Sequence, residues 1–230
     1  MLFRSEHYLV VLITADKGLA GAFNANLIKA AQSFIKEHAS QRIELLAVGR
    51  KGRDFFRRRN VEIAGEYIGL TAKGRVTYAE AAEVAEDVMR RFGEDETLDK
   101  VFLIFNEFRS VLSQRVVVEQ LLPVARAAVT EQAEPAPPVG AQAETFVEYV
   151  YEQPPADIFG RLLPRLVVTQ IFRALLESIA SEQGARMTAM DSASKNAGDL
   201  ISSLTLNMNR IRQASITREI IEIVSGAAAL

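Results

Sequence analysis

The first half of the chain alternates two hydrophobic patterns. Short apolar runs rich in β-branched residues predict strands buried on both faces at residues 8–14, 43–48 and 101–105, and a further strand is predicted at residues 61–70. Between them, apolar residues recur every three or four positions, which predicts helices at residues 23–37 and 78–92 and a short helix or turn at residues 51–59. This alternation predicts an α/β body, Rossmann-like, in which helices cover a mostly parallel sheet.

Two later segments are strand-like but are not separated by a helical pattern. They cover residues 114–122 and 145–151, and a stretch rich in Pro, Ala and Glu lies between them. Proline and glycine in that stretch disfavour regular structure. We therefore predict that the two segments form an antiparallel pair at the edge of the sheet.

The last third has a helical pattern throughout. No proline follows Pro164, and the spacing predicts one helix over residues 166–224 with Pro164 in its first turn. Its length would be roughly 88 Å at ~1.5 Å per residue, about twice the diameter of the preceding body. Most of the helix should therefore project, and its apolar positions should need a partner helix or an enclosing protein. Those positions, called the seam below, are Met190, Ala193, Ala197, Leu200, Leu204, Met208, Ile211, Ile216, Ile220 and Val224.

Composition excludes several kinds of chemistry. The 230 residues are 49% hydrophobic with a net charge of −2, which disfavours a globally basic nucleic-acid binder. Cysteine is absent, so a disulfide, a thiolate metal site and a cysteine nucleophile are excluded. The two histidines, His7 and His38, lie in no recognisable catalytic motif. No apolar run approaches the ~20 residues of a membrane span.

Three features remain as candidate sites, each with an ordinary structural explanation. Gly18 and Gly21 follow the first strand, where a glycine turn either cradles a phosphate or allows tight packing. A basic cluster at residues 50–59 either contacts nucleic acid or an acidic protein, or is a solvated helix face. Basic residues at 210–218 suit an acidic partner, although arginine also favours a helix C-terminal half.

Three stretches near the C-terminus carry a specific resemblance: RMTAMDSASKNA, LTLNMNRIRQASIT and EIVSGAAAL. With the opening turn TADKGLAGAFN and the internal segments GRKGRDFF and YEQPPADIFGRLLPR, they closely resemble the gamma subunit of F-type ATP synthases. Many members have a cysteine where Ala20 stands. The resemblance implies a non-catalytic rotor: an α/β foot on the membrane c-ring and a coiled coil inside the alpha/beta hexamer, turned by proton flow. It implies no cofactor and no metal.

The resemblance also implies contact residues. Tyr149, Tyr151 and Glu152 match the family's c-ring contact. Arg212, Gln213 and Thr217 match positions that hydrogen-bond the beta subunit, and Arg186 matches a basic position near acidic loops of the hexamer. Gly18 and Gly21 are then structural.

The implied partners are the alpha, beta and epsilon subunits and the c-ring, without nucleic acid or membrane insertion. The implied location is peripheral, on the cytoplasmic face of the bacterial plasma membrane. We expect a foot at residues 1–155 and a shaft helix at residues 156–230. The family's long N-terminal helix has no counterpart in this sequence, so we expect the shaft to be incompletely stiff alone. The alternatives are a small nucleotide-binding α/β enzyme that uses the Gly18–Gly21 turn and a coiled-coil adaptor unrelated to ATP synthesis.

Overall fold

A five-stranded sheet organises the first part of the chain. The computed structural model describes residues 6–124 and 154–227. The strands are β1 (His7–Ile13), β2 (Arg42–Val48), β3 (Ile63–Tyr67), β4 (Leu98–Phe108) and β5 (Gln114–Leu122). Their order is β3-β2-β1-β4-β5, and every neighbouring pair is parallel except β4 with β5. The predicted mostly parallel sheet is therefore confirmed.

Four helices accompany the described strands. They are α1 (Phe23–Glu37), α2 (Arg50–Arg57), α3 (Tyr78–Glu94) and α4 (Pro155–Ala227). The segment predicted as a short helix or turn is thus a helix of two turns. The bounds of α1 agree with the prediction at both ends, and α3 runs two residues further than predicted.

β1 is buried along its whole length because helices cover both faces of the sheet. Its alternate residues enter two apolar layers, with Val11 in the layer beneath α3 and α4 and Val10 in the layer beneath α1. The first layer contains ten buried helix residues, which are Ala81, Val84, Ala85 and Val88 of α3 and Val167, Val168, Ile171, Ala174, Leu175 and Ile179 of α4. Continuous apolar sequence in β1 is the direct consequence of this two-sided burial.

The start of α4 corrects one prediction. The helix begins at Pro155, so Pro164 lies inside the helix rather than in its first turn. Pro155 fits the first helical position because its missing N–H would have no partner there. At Pro164 the helix lacks one backbone N–H, so the carbonyl of Gly160 receives no hydrogen bond from that position.

The predicted antiparallel pair is only partly within the described residues. β5 pairs antiparallel with β4, with Phe102 opposite Gln120 and Asn106 opposite Val116. The second predicted member, residues 145–151, lies outside the described residues. β4 and β5 are consecutive in sequence, and a short turn at residues 109–113 joins them as in a β-hairpin.

The chain divides into two compact units, Met1–Arg186 and Met187–Leu230. Helix α4 contributes residues to both, and its buried positions in the apolar layer all belong to the first unit. The division at residues 155 and 156 between a foot and a shaft stays a prediction about function.

Candidate functional site

The turn between β1 and α1 is the first candidate site, and its two glycines differ. Gly21 has a φ of 54°, in the left-handed region that favours glycine. A Cβ added at Gly18 would meet only Lys51, at 3.9 Å from Cε, which is ordinary contact. The backbone conformation therefore requires a residue such as glycine at position 21, whereas position 18 has room for a side chain.

Asp16 connects this turn to two other loops. Its carboxylate is buried and accepts hydrogen bonds from the backbone N–H of Arg50 at 3.0 Å, Gly69 at 3.0 Å and Ala72 at 3.1 Å. It also accepts one from the hydroxyl of Thr71 at 2.8 Å. The carboxylate thus joins the loops that follow β1, β2 and β3, and all its near neighbours are groups of this chain.

The loop after β2 packs directly against Thr14, the residue that follows β1. Gly49 has a φ of 94°, and a Cβ there would lie 2.1 Å from the carbonyl oxygen of Thr14. A Cβ at Gly52 would lie 2.9 Å from the Thr14 side chain. These two glycines are needed because backbone and side chain approach too closely for any larger residue. The two glycines of the segment GRKG, residues 49–52, are therefore explained by close packing within the chain.

The N-terminus of α2 offers no free amide groups for a phosphate. A helix N-terminus binds anions when its first N–H groups point at open space. Here each of the first four is already bonded within the chain. The bonds run from Arg50 N to Asp16 Oδ1 at 3.0 Å, Lys51 N to Ala15 O at 3.2 Å, Gly52 N to Thr14 Oγ1 at 2.9 Å and Arg53 N to Gly49 O at 3.5 Å.

Helix α4 occupies the region beyond the carboxyl ends of β1 and β4. Open α/β sheets bind ligands in that region. Ser181 donates a hydrogen bond from its hydroxyl to the carbonyl of Asn106, at 3.3 Å. Ala185 packs against the apolar layer beneath α1. Helix α4 of the chain itself therefore lies against the end of the sheet at which open α/β folds bind ligands.

Glu182 lies in the same region and is 2% exposed. Burial raises the pKa of its carboxyl group, and the Arg186 guanidinium, with which it forms a hydrogen-bonded ion pair, acts in the opposite direction. Arg186 also donates to Gln183, at 3.0 Å. The predicted hexamer contact Arg186 is thus held against its own helix.

The other predicted contact residues fall into two groups. Arg212, Gln213 and Thr217 lie on α4 in the second compact unit, and all three side chains are exposed. Gln213 and Thr217 are four residues apart and therefore share one face of the helix. The predicted c-ring contact, Tyr149, Tyr151 and Glu152, lies outside the described residues.

The seam is exposed along the second compact unit. Leu204 is 57% exposed and Ile211 62%. Together with Ile201 and Met208 they line a shallow apolar groove on the helix surface. Apolar side chains at this spacing and exposure are typical of a helix that packs against a partner. Within residues 187–227 no second described element covers them.

The described residues contain neither a membrane-spanning helix nor a cluster of metal ligands. None of the helices described is both long and apolar enough to span a bilayer. No group of three His, Cys, Asp or Glu side chains within residues 6–124 and 154–227 is arranged to hold a metal ion.

Comparison with known proteins agrees with the resemblance. A family model described as ATP synthase matches residues 2–230. The ATP synthase gamma chain of Solibacter usitatus is 53% identical over 220 residues, which cover 96% of this chain and 71% of that protein. The gamma chain of Geobacter metallireducens is 44% identical over 228 residues, covering 98% of this chain and 74% of that protein.

The chain belongs to the ATP synthase gamma chain family. It is accordingly a non-catalytic subunit of the central stalk. A central stalk and c-ring structure from Tetrahymena thermophila mitochondrial ATP synthase is similar with a TM-score of 0.61 and 26% identity, covering 83% of this chain and 77% of that chain. A chain of the Euglena gracilis mitochondrial enzyme shares the fold, with a TM-score of 0.66 and 16% identity over 98% of this chain and 73% of that one.

Family membership leaves the nucleotide-binding enzyme and the unrelated adaptor without support. The occupied strand ends and the bonded amides of α2 agree with the gamma assignment. Sequence reasoning missed Asp16, which joins three loops. The only signal for it was an acidic residue two positions after the predicted strand at residues 8–14.

Proposed function

We propose that this gamma-family chain is the rotor of a proton-translocating F-type ATP synthase and transmits torque between a membrane c-ring and an alpha/beta catalytic hexamer during ATP synthesis. The observation that carries the proposal is the exposed seam, including Leu204 and Ile211, on a helix of 73 residues. A stiff helix whose surface differs around its circumference stabilises a different partner conformation at each angle. Rotation driven by proton flow then carries each catalytic site through these conformations in turn, without chemistry on the rotor.

The two parts of the chain have different proposed roles. Residues 1–155 act as the foot and residues 156–230 as the shaft. The foot binds the c-ring and the epsilon subunit, and the shaft enters the hexamer. The protein would then be peripheral, on the cytoplasmic face of the bacterial plasma membrane, and would move with the ring during hydrogen ion transport.

The c-ring contact is proposed at Tyr149, Tyr151 and Glu152. Aromatic side chains combine a large contact area with a polar end, so they suit the polar loops of a ring at the membrane surface. Support for this assignment comes from the family resemblance of the segment YEQPPADIFGRLLPR.

The beta-subunit contact is proposed at Arg212, Gln213 and Thr217, with Arg186 closer to the foot. The exposure of the first three leaves their polar groups accessible to a partner loop. Arg186 already pairs with the buried Glu182. A contact by Arg186 to an acidic loop would therefore share its guanidinium between two carboxylates, which its five N–H donors permit.

The test is assembly followed by coupling. The chain is coexpressed with alpha, beta, epsilon and c subunits, and the complex is purified through a tag on beta. ATP-driven proton pumping is then measured in vesicles for the double variant Arg212→Ala, Gln213→Ala. The matched control is Lys195→Ala, an exposed cation on the same helix.

We expect copurification, a loss of pumping of about tenfold in the double variant and little change in the control, because hydrogen bonds to a charged group are strong. A chain that never copurifies with alpha, beta or c subunits would contradict the rotor role. Equal losses in the variant and the control would contradict only the assignment of the beta contact.

A further inference from the structure

Helix α2 and its C-cap residue Arg58 present a basic face to solvent, with one carboxylate, Asp54, between the cations. Arg50, Lys51, Arg57 and Arg58 are exposed, whereas Gly52 and Phe56 on the opposite side are buried in the foot. At 100° per residue the four cations fall within about a third of the helix circumference. We call these four residues the basic face of α2.

The four cations have no ion-pair partner among the residues that the structure describes. Their neighbour Arg53 differs, because it pairs with Asp54 at 2.7 Å and Glu66 at 3.6 Å. Arg59, just beyond the helix, lies over the ring of Phe55 at 3.7 Å from its centroid. The basic face therefore keeps its charge available, although carboxylates lie close by.

Two of the cations lie where their interaction with the helix dipole is unfavourable. Arg50 and Lys51 stand in the first turn of α2, which contains no acidic residue. Cations are unfavourable there because the helix dipole is positive at its N-terminus. Natural sequences break such a local rule mostly where a function compensates for the cost. Both residues are exposed, although the Lys51 side chain passes beside Gly18, where an added Cβ would lie 3.9 Å from its Cε.

We propose that the basic face of α2 is a docking surface for an acidic segment of a partner protein. The face is about 12 Å long, which matches three to four residues of an extended peptide. Asp54 lies between the cations, and Glu66 lies beside them. These carboxylates, with a net charge of −2 for the whole chain, disfavour a nucleic acid backbone and tolerate a protein segment of mixed charge.

The test uses the full chain and two defined probes: a fluorescein-labelled peptide of twelve glutamates and a labelled twelve-nucleotide oligo-dT. Binding is measured by fluorescence anisotropy at low and at physiological salt. The variants are Arg50→Gln with Lys51→Gln, and Arg57→Gln with Arg58→Gln. The matched control is Lys29→Gln with Lys36→Gln, two exposed lysines on α1.

We expect each pair of substitutions on α2 to weaken peptide binding about tenfold and the control to change it less than twofold. The Arg50 and Lys51 variant should also show a higher melting temperature, because it removes cations from a helix N-terminus. A variant that is more stable but binds the peptide less tightly has lost a docking surface, because misfolding would lower its melting temperature. Equal losses in the control, tighter binding of the oligonucleotide or no peptide binding would each overturn the proposal.

Discussion

At the scale of single residues, Glu177 shows how the foot tolerates a partly buried carboxylate on α4. One carboxylate oxygen of Glu177, Oε2, is buried without a hydrogen bond, and the side chain is 28% exposed. Burial raises the pKa of this group, Arg173 acts against it, and Glu107 and Glu119 add to it. The folded state therefore binds the proton more tightly than the unfolded chain, whose reference value is 4.5.

The raised pKa of Glu177 makes the stability of the chain depend on pH. The stability that Glu177 contributes is complete below that reference value and is lost as the pH rises through the folded value. Glu177→Gln, which mimics the protonated form, should therefore be more stable than the unmodified chain at neutral pH, with the difference shrinking towards acid. Urea unfolding at a series of pH values measures it, with the exposed Glu86→Gln as a control of equal charge change. A difference independent of pH would contradict the prediction.

Asp16 marks the limit of what single residues reveal in the sequence. Its four hydrogen-bond donors come from positions 34 to 56 residues away. An acidic residue after a strand is visible in the sequence, but its partners depend on which loops the strand order brings together. The same applies to Gly49, whose requirement arises from contact with Thr14, the residue that follows β1.

At the scale of elements, the spacing of apolar residues predicted most strands and helices. It did so because each of these elements buries one or both of its faces, and the buried positions are apolar in the sequence. The start of α4 escaped the prediction. Its sequence there, PADIFGRLLP, contains two prolines, and proline was expected to limit the helix at residue 164. Phe159 and Leu162 are exposed in this segment. Its apolar residues therefore show no clear helical spacing that would have predicted an earlier start of the helix.

Two isoleucines of α4 test whether the seam differs from the core. Ile171 is fully buried in the foot, whereas Ile211 is 62% exposed. Ile171→Ala should lower the free energy of unfolding by about 2–5 kcal/mol, because it leaves a cavity. Ile211→Ala should change it by less than about 0.5 kcal/mol. Urea unfolding of the isolated chain measures both, and a large loss from the Ile211 substitution would contradict an uncovered seam.

At the scale of the whole molecule, the two compact units should differ in local stability. The first has two apolar layers around a sheet, whereas the second consists of a helix whose seam is exposed. A helix with exposed apolar positions and without tertiary packing is marginal in water. Opening of the second unit should therefore require less free energy than opening of the foot.

Limited trypsin digestion of the isolated chain makes this difference measurable. We expect the first cuts in the second unit, after Lys195, Arg210, Arg212 and Arg218, and late cuts within α1 and α3 of the foot. Cleavage requires local unfolding, which the buried contacts of the foot oppose. Addition of the alpha/beta hexamer should slow the cuts after Arg210 and Arg212, because the partner would cover the seam. Mass spectrometry identifies the products, and a second unit that resists trypsin in the isolated chain would show that its helix is stable without a partner.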